Sequence, residues 1–354
     1  MNRTNYKQPK TEYLTLLSVI SAIAVVCLHT NGCFWGFSAI ERYWFTANII
    51  ESLFYFAVPV FFMISGAALI NYRDRYSTKQ YAVKRIRKTV IPFVIWSLIA
   101  LAYNVLVSNI SVDDLNMKEI LNRIFASSLN GVYWFFLPLF CVYLCIPLLS
   151  AVSKEARKEV FSYLAVACFG INCLIPFIIN VFGIELVWPF FISVGSDYLL
   201  YVIVGYLLNE YDLTKRGKLA VYICSLLGLL MLTIGTYRMS VAAGYIVNTY
   251  REYNNVPCIM YSVGIFVFFK DHGRKLMLSF AGRLIRFLGD YTFGVYLIHM
   301  YILEAVQYFF EEVLSLPSTS VIYRLGGVPV IIIFAVIIIS LLRKIPVVKN
   351  IVPL

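Results

Sequence analysis

Unbroken apolar runs, most of them about 18–20 residues long, recur ten times along the 354-residue chain, and nothing else in it restricts the fold as much. They cover residues 14–35, 46–71, 89–108, 133–152, 160–182, 189–208, 219–237, 256–270, 285–310 and 321–342. A run of that length, wound as a helix, crosses a hydrocarbon layer about 30 Å thick. Strands of a membrane barrel would instead alternate apolar and polar residues with a period of two, and these runs do not. The expected class is all-α: a polytopic membrane protein with about ten transmembrane helices. Composition agrees, since 60% of residues are hydrophobic and 14% charged, against roughly 45–50% apolar in ordinary globular chains. The eighth run, in PCIMYSVGIFVFFK, is short for a full crossing. Such a span is tolerated where its backbone lines a cavity or packs on protein.

A net charge of +11 invites a nucleic-acid partner, but its distribution argues otherwise. With the N-terminus inside, 24 of the 30 Lys and Arg fall in segments facing the cytosol, and 6 face outward. That bias is the positive-inside rule, which places both termini in the cytosol and removes the need for a nucleic acid. Loops are short, so residues 1–354 are expected to form a single transmembrane domain. Residues 1–13 form a short basic cytosolic tail, with no soluble appended domain. The first run is too long for a cleaved leader, lacks a small-residue cleavage site and is expected to stay as a span. Cysteines at 27, 33, 141, 145, 168, 173, 224 and 258 show no C-x-x-C and no His-bearing metal spacing. They are expected to pack as small apolar residues, with no disulfide, zinc or other metal. Loops are longest at 108–131 and 237–255, the second aromatic and half-apolar. Pro59 and Pro147, inside apolar runs, are expected to bend their helices.

An ionisable ring inside the first run is the leading candidate for chemistry. His29 ends LTLLSVISAIAVVCLHT, and a histidine at membrane depth is costly enough that it usually has a task. At 3.6 residues per turn, Ser18, Ala22, Val25 and His29 share one helix face. Small groups below the ring allow either close helix packing or a narrow channel leading to it. The ring itself serves as an interhelical hydrogen-bonding group or as a general base, for which imidazole is suited near neutral pH. Before the third run, KQYAVKRIRKTVIP gathers Lys84, Arg85, Arg87 and Lys88, with Arg85 and Lys88 three apart on one face. This cluster is a topology signal, an anion site for phosphates, or both. Glu51 near the start of the second run, and Asp197 in the sixth, are candidates for orienting a base or binding hydroxyls. Tyr296 and His299 lie three apart on another helix face, and His272 in KDHGRK reads as solvated.

Taken in order, several segments resemble the membrane acyltransferase-3 family. They are His29 late in the first span, VPVFFMISGAALI in the second, KRIRKTVIPFVIWS leading into the third and YWFFLPLFCVYLCIPLL in the fourth. GYLLNEYDLTKR after the sixth span and FLGDYTFGVYLIHMYI near the end complete the set. The resemblance implies transfer of an acyl group, usually acetyl from acetyl-CoA, to a hydroxyl of a cell-surface polysaccharide or lipid-linked glycan in a bacterial cytoplasmic membrane. It places the catalytic histidine on His29, basic donor-binding residues on Arg85 and Lys88, and supporting residues on Trp134, Phe135, Tyr296 and His299. Four positions depart from the pattern, the first being Lys88, where Arg is frequent. Ser18 stands eleven residues before His29, where many members carry Arg; Thr15 replaces a frequent acid, and Val132 a frequent His.

A sugar hydroxyl is a poor nucleophile at neutral pH, so a base must take its proton as it attacks the thioester. The expected arrangement has His29 as that base while Arg85 and Lys88, beside Lys84 and Arg87, hold the phosphates of acyl-CoA. Direct transfer and an acyl-enzyme both remain open. Expected partners are acyl-CoA as co-substrate, a carbohydrate or glycolipid acceptor and the lipid bilayer, with a homo-oligomer left open. The rival reading is a transporter or flippase moving a glycan or small solute without acyl chemistry. A third is a membrane module serving another protein.

Overall fold

The structure is a computed structural model, and it describes residues 12–107, 109–111, 115–184, 192–194, 198–346 and 348–353. Its regular elements are helical throughout. In chain order they are α1 (Glu12–Thr30), α2 (Arg42–Phe54), α3 (Ala57–Leu69), α4 (Thr78–Arg85), α5 (Ile91–Leu106), α6 (Met117–Phe125), α7 (Phe136–Ala151) and α8 (Lys154–Cys168). Then come α9 (Ile175–Phe182), α10 (Tyr198–Glu210), α11 (Lys215–Leu230), α12 (Thr236–Ala243), α13 (Val256–Leu278), α14 (Phe280–Gly289), α15 (Thr292–Tyr308) and α16 (Val321–Leu342).

Joined end to end, these give eight helices long and apolar enough to cross a membrane among the described residues. Two of the ten expected spans are not among the eight. One is α10, a shorter apolar helix of 13 residues. The other is α13, whose 23 residues run on through Lys270, Asp271, Arg274 and Lys275. The eighth run is thus longer than its apolar part suggested, because the helix continues past the end of the hydrophobic residues. The ninth run is shorter: α14 ends at Gly289 and α15 starts afresh at Thr292. Asp197 lies outside the described residues.

Prolines set several of the helix breaks. Pro59 has no N–H for the Tyr55 carbonyl four residues earlier, and the second span breaks there, between α2 and α3. Pro92 and Pro176 each sit at the start of a helix that comes after a π-helical turn, Ile86–Val90 and Phe169–Leu174. A π turn takes up one extra residue and so rotates the next helix around the axis. Pro147, by contrast, lies inside an unbroken α7.

The first span is the hub. Helix α1 packs on α3, α13, α14, α15 and α16, and 67% of its apolar window is buried inside the protein, against 17% for the spans Lys154–Phe182 and Lys215–Ala243. The second pair therefore presents most of its apolar surface outward, where lipid would cover it. One end of the bundle collects ion pairs: Lys154 with Asp74 at 2.7 Å, Lys218 with Asp271 at 2.7 Å, Lys270 with Asp212 at 2.8 Å and Arg286 with Glu12 at 3.4 Å. This end is the basic face of the bundle. Buried Arg157 closes it by donating to Asn71 Oδ1 at 2.6 Å and to the Ser150 carbonyl at 2.7 Å.

Helices α3 and α10 touch backbone to backbone. A Cβ built on Gly66 would lie 1.9 Å from the Val202 carbonyl oxygen, and one on Gly205 would lie 2.2 Å from that of Met63. Close approach of this kind between membrane helices requires residues without side chains. Gly205→Ala is expected to force the helices apart at a cost of about 1–3 kcal/mol, read as a lower unfolding midpoint in detergent. Gly170→Ala, where a Cβ meets nothing within 4 Å, is the control and should leave the midpoint within about 0.5 kcal/mol.

Candidate active site

Two cavities lie along the small-residue face of α1. The first, of about 260 Å³, is lined by Val25, Leu28 and His29 from α1, Glu51 from α2, and Tyr55 and Val58 at the proline break. Trp35, Val132, Trp134, Phe135, Arg251, Tyr253 and Tyr296 complete its wall. The second, of about 250 Å³, lies nearer the basic face and includes Ser18, Ser65, Arg85, Lys88, Thr89, Tyr143 and Thr292. Phe135 and Tyr296 line both. The 18–22–25–29 stripe thus faces two chambers, with Ser18 in one and Val25 and His29 in the other. Eleven residues separate Ser18 from His29, about 16 Å of helix axis.

No hydrogen bond to the His29 ring is found among the described residues; its neighbour is the His299 ring, with centroids 5.2 Å apart. His299 is fully buried. Its Nδ1 lies 3.1 Å from the Val295 carbonyl and 2.8 Å from the Tyr296 carbonyl. Carbonyl oxygens only accept, so Nδ1 carries the proton and Nε2 offers a lone pair. That Nε2 is buried and has no hydrogen-bond partner among the described residues. Tyr296 donates its hydroxyl to the Val132 carbonyl, and its ring meets Phe135 edge to face at 5.7 Å. These two rings form the partition between the chambers.

Glu51 reaches the His29 chamber from nine residues inside α2, which begins at Arg42 rather than near residue 46. It is 4% exposed and accepts from the Arg251 guanidinium and, at 3.3 Å, from Asn31 Nδ2. Arg251 comes from the segment after α12. Its guanidinium lies over the rings of Phe34 at 4.6 Å, Trp35 at 4.7 Å and Tyr55 at 4.8 Å, contacts that favour a cation. Behind them, fully buried Arg324 donates to Asn31 Oδ1 at 3.1 Å and to Thr46 Oγ1 at 2.6 Å. Thr30, next to His29, donates to the Arg324 carbonyl at 2.7 Å. Trp134 stacks on Tyr253 at 5.8 Å, and Tyr253 stacks on Tyr55 at 4.6 Å. Sequence reasoning passed over Arg251, Arg324 and Tyr253. Arg324 carried a usable signal, as a cation inside the last apolar run. Arg251 and Tyr253 fell in a stretch read as a loop.

At the other chamber, Arg85 sits beside the Tyr143 and Tyr81 rings, at 5.4 Å and 5.8 Å. Its Nε is buried without a hydrogen-bond partner among the described residues. Ser18 donates to Thr292 Oγ1 at 3.3 Å, so the cations of this chamber come from the third span and not from α1. Lys84 and Arg87, expected beside them, line neither chamber and open onto a separate concavity.

A multi-helix membrane bundle holding a histidine chamber in series with a cationic one is the class of protein that results. A family model for the acyltransferase domain, Acyl_transf_3, matches residues 11–340. The chain belongs to that family and is an acyltransferase of the O-acetyltransferase-like kind. No curated protein and no solved structure matches it.

Glu51→Ala leaves the buried Arg251 without its counter-charge and is expected to destabilise the protein by about 3–5 kcal/mol, measured by thermal unfolding in detergent. Replacing both, as Glu51→Gln with Arg251→Gln, should cost less than either single change, which a double-mutant cycle reads directly.

Proposed function

We propose that the protein transfers an acyl group, most simply acetyl from acetyl-CoA, to a hydroxyl of a cell-surface polysaccharide or lipid-linked glycan. The observation that carries this reading is the pair of chambers in series along α1, one holding His29 and the other Arg85 and Lys88. In this reading ten helices cross the bilayer, both termini and the basic face are cytosolic, and the membrane is a bacterial cytoplasmic one. The acyl donor enters by the cationic chamber. Arg85 and Lys88 bind its phosphates by charge-assisted hydrogen bonds, which would give the orphaned Arg85 Nε a partner. Pantetheine is long and thin, and reaches along the Ser18 face past Phe135 and Tyr296.

The acceptor enters the His29 chamber from the opposite end. His29 takes the hydroxyl proton as the oxygen attacks the thioester carbonyl, and the tetrahedral intermediate collapses with loss of the CoA thiolate. The proton held on imidazolium then neutralises the thiolate. Arg251 lines the same chamber and supplies positive charge where the intermediate's oxygen becomes negative. Trp134, which lines the chamber and stacks on Tyr253, offers aromatic surface to a sugar. His299, its tautomer set by two carbonyls, presents a lone pair able to accept from a His29 N–H and orient the ring.

Transfer from radiolabelled acetyl-CoA to candidate glycans tests the reading. His29→Ala is expected to lower kcat at least about 100-fold, the scale of a lost general base, with donor binding retained. Arg85→Ala is expected to weaken CoA binding about tenfold or more, the worth of a charged hydrogen bond. Full transfer by His29→Ala, or unaltered CoA affinity in Arg85→Ala, refutes it; in the second case the arginine only sets topology. Absence of CoA binding in both proteins favours transport.

A further inference from the structure

On the basic face, Lys154, Lys218, Lys270 and Arg286 each have an acidic partner. Arg75, Lys79, Lys84 and Arg87 do not. These four line one concavity of about 450 Å³, together with Tyr76, Gln80 and Val83. No Asp or Glu lines it, and among the described residues none of the four cations makes an ion pair.

The cluster is built rather than merely scattered along a surface. Arg75 and Tyr76 form a strap leading into α4, and Ser77 fixes its angle by a reciprocal cap. The Gln80 backbone N–H donates to Ser77 Oγ at 3.3 Å, while the Ser77 N–H donates to Gln80 Oε1 at 3.0 Å. Arg75 is held by donation to the Ala68 carbonyl at 2.8 Å. The Tyr76 ring takes the place of an acid, with Lys84 Nζ 3.7 Å from its centroid and Arg75 Cζ at 5.7 Å. Four cations gathered in one hollow repel one another, and an anion bound between them removes that cost.

Helical phase sets this hollow beside the donor chamber. Arg85 and Lys88 face the chamber, whereas Lys84 and Arg87 lie roughly a quarter turn around the same helix and face the hollow. We propose that the hollow is a second phosphate site, distinct from the Arg85–Lys88 clamp. It takes a phosphate carried either by the nucleotide end of the acyl donor or by a bilayer lipid headgroup. CoA bears its diphosphate and its ribose 3′-phosphate on different sides of the ribose, so two neighbouring clamps suit it. A lipid phosphate at the membrane surface meets the same charges. Only the nucleotide source rests on the acyl-CoA reading; the lipid source stands without it.

The test uses the whole protein in nanodiscs, comparing wild type with the double variant Lys84→Ala, Arg87→Ala and with the charge-preserving pair Lys84→Arg, Arg87→Lys. Both side chains are exposed, so the fold should survive either change. The first readout is affinity for adenosine 3′,5′-bisphosphate in phosphatidylcholine discs. The second is retention of phosphatidylglycerol from mixed discs, measured by native mass spectrometry. The alanine pair is expected to lose about tenfold in one readout, as removal of charge-assisted bonds implies, and the charge-preserving pair to stay within about threefold. Loss confined to the bisphosphate assigns the nucleotide, and loss confined to phosphatidylglycerol assigns the headgroup. Wild-type behaviour of the alanine pair in both readouts overturns the site. Unaltered CoA affinity in Arg85→Ala, by contrast, refutes the donor reading and leaves the phosphatidylglycerol readout to decide the hollow.

Discussion

Two guanidinium groups and one carboxylate are buried together at the end of the bundle where His29 sits, and the arrangement of that end comes from keeping them satisfied. Glu51 answers Arg251 directly, and Asn31 stands between Glu51 and Arg324, donating to one and accepting from the other. A buried ion pair repays its desolvation only when the remaining hydrogen-bonding groups are also met. Here Arg251 Nε stays buried without a hydrogen bond among the described residues, and the other contacts come from chain segments that are far apart in sequence: the end of α1, the middle of α2, the start of α16 and the segment after α12. Removing any of these would strand a charge. The network therefore fixes where α1 ends, and His29 lies two residues before Asn31.

With that end pinned, helix geometry does the rest. Ser18 and His29 are eleven residues apart, close to three whole turns, so they face the same way at different depths. Partners arrive through irregularities in other helices. The proline break at Tyr55 turns one aromatic ring into the His29 chamber. Helical phase over residues 84–88, where α4 runs into the π turn Ile86–Val90, shares charges crowded into five residues between a chamber and a neighbouring hollow. These are the deviations that membrane helices tolerate when protein, and not lipid, surrounds the loosened backbone.

Much of this was legible in the sequence because membrane solvation is a strict filter. Continuous apolar runs declared the class, and the histidine and the basic turn picked out as candidates in the sequence line two neighbouring chambers in the fold. The features that were not legible depended on phase and pairing. The start of α2 at Arg42, ahead of the apolar run, moved Glu51 from the mouth of a span to its interior. Helix α13 ran on through Lys270–Lys275 because Lys270 and Asp271 find partners in Asp212 and Lys218, which hydropathy does not register. Arg251 looked like one more loop cation, and only the folded chain shows it returning between Phe34, Trp35 and Tyr55. The four basic residues of one turn looked alike until helical rotation divided them.

The partition between the chambers bears on why an acyltransferase would be built in this way. Phe135 and Tyr296 touch both spaces, and Tyr296 is tethered through its hydroxyl to the Val132 carbonyl. An aromatic wall is apolar enough to exclude water from a thioester, yet side chains at such a wall can part for a thin chain without breaking backbone bonds. Its one polar anchor holds to main chain, at the Val132 carbonyl. Under the proposed function, an acyl group brought up from the Arg85 side would meet the acceptor only beyond that wall, in the chamber that His29 lines.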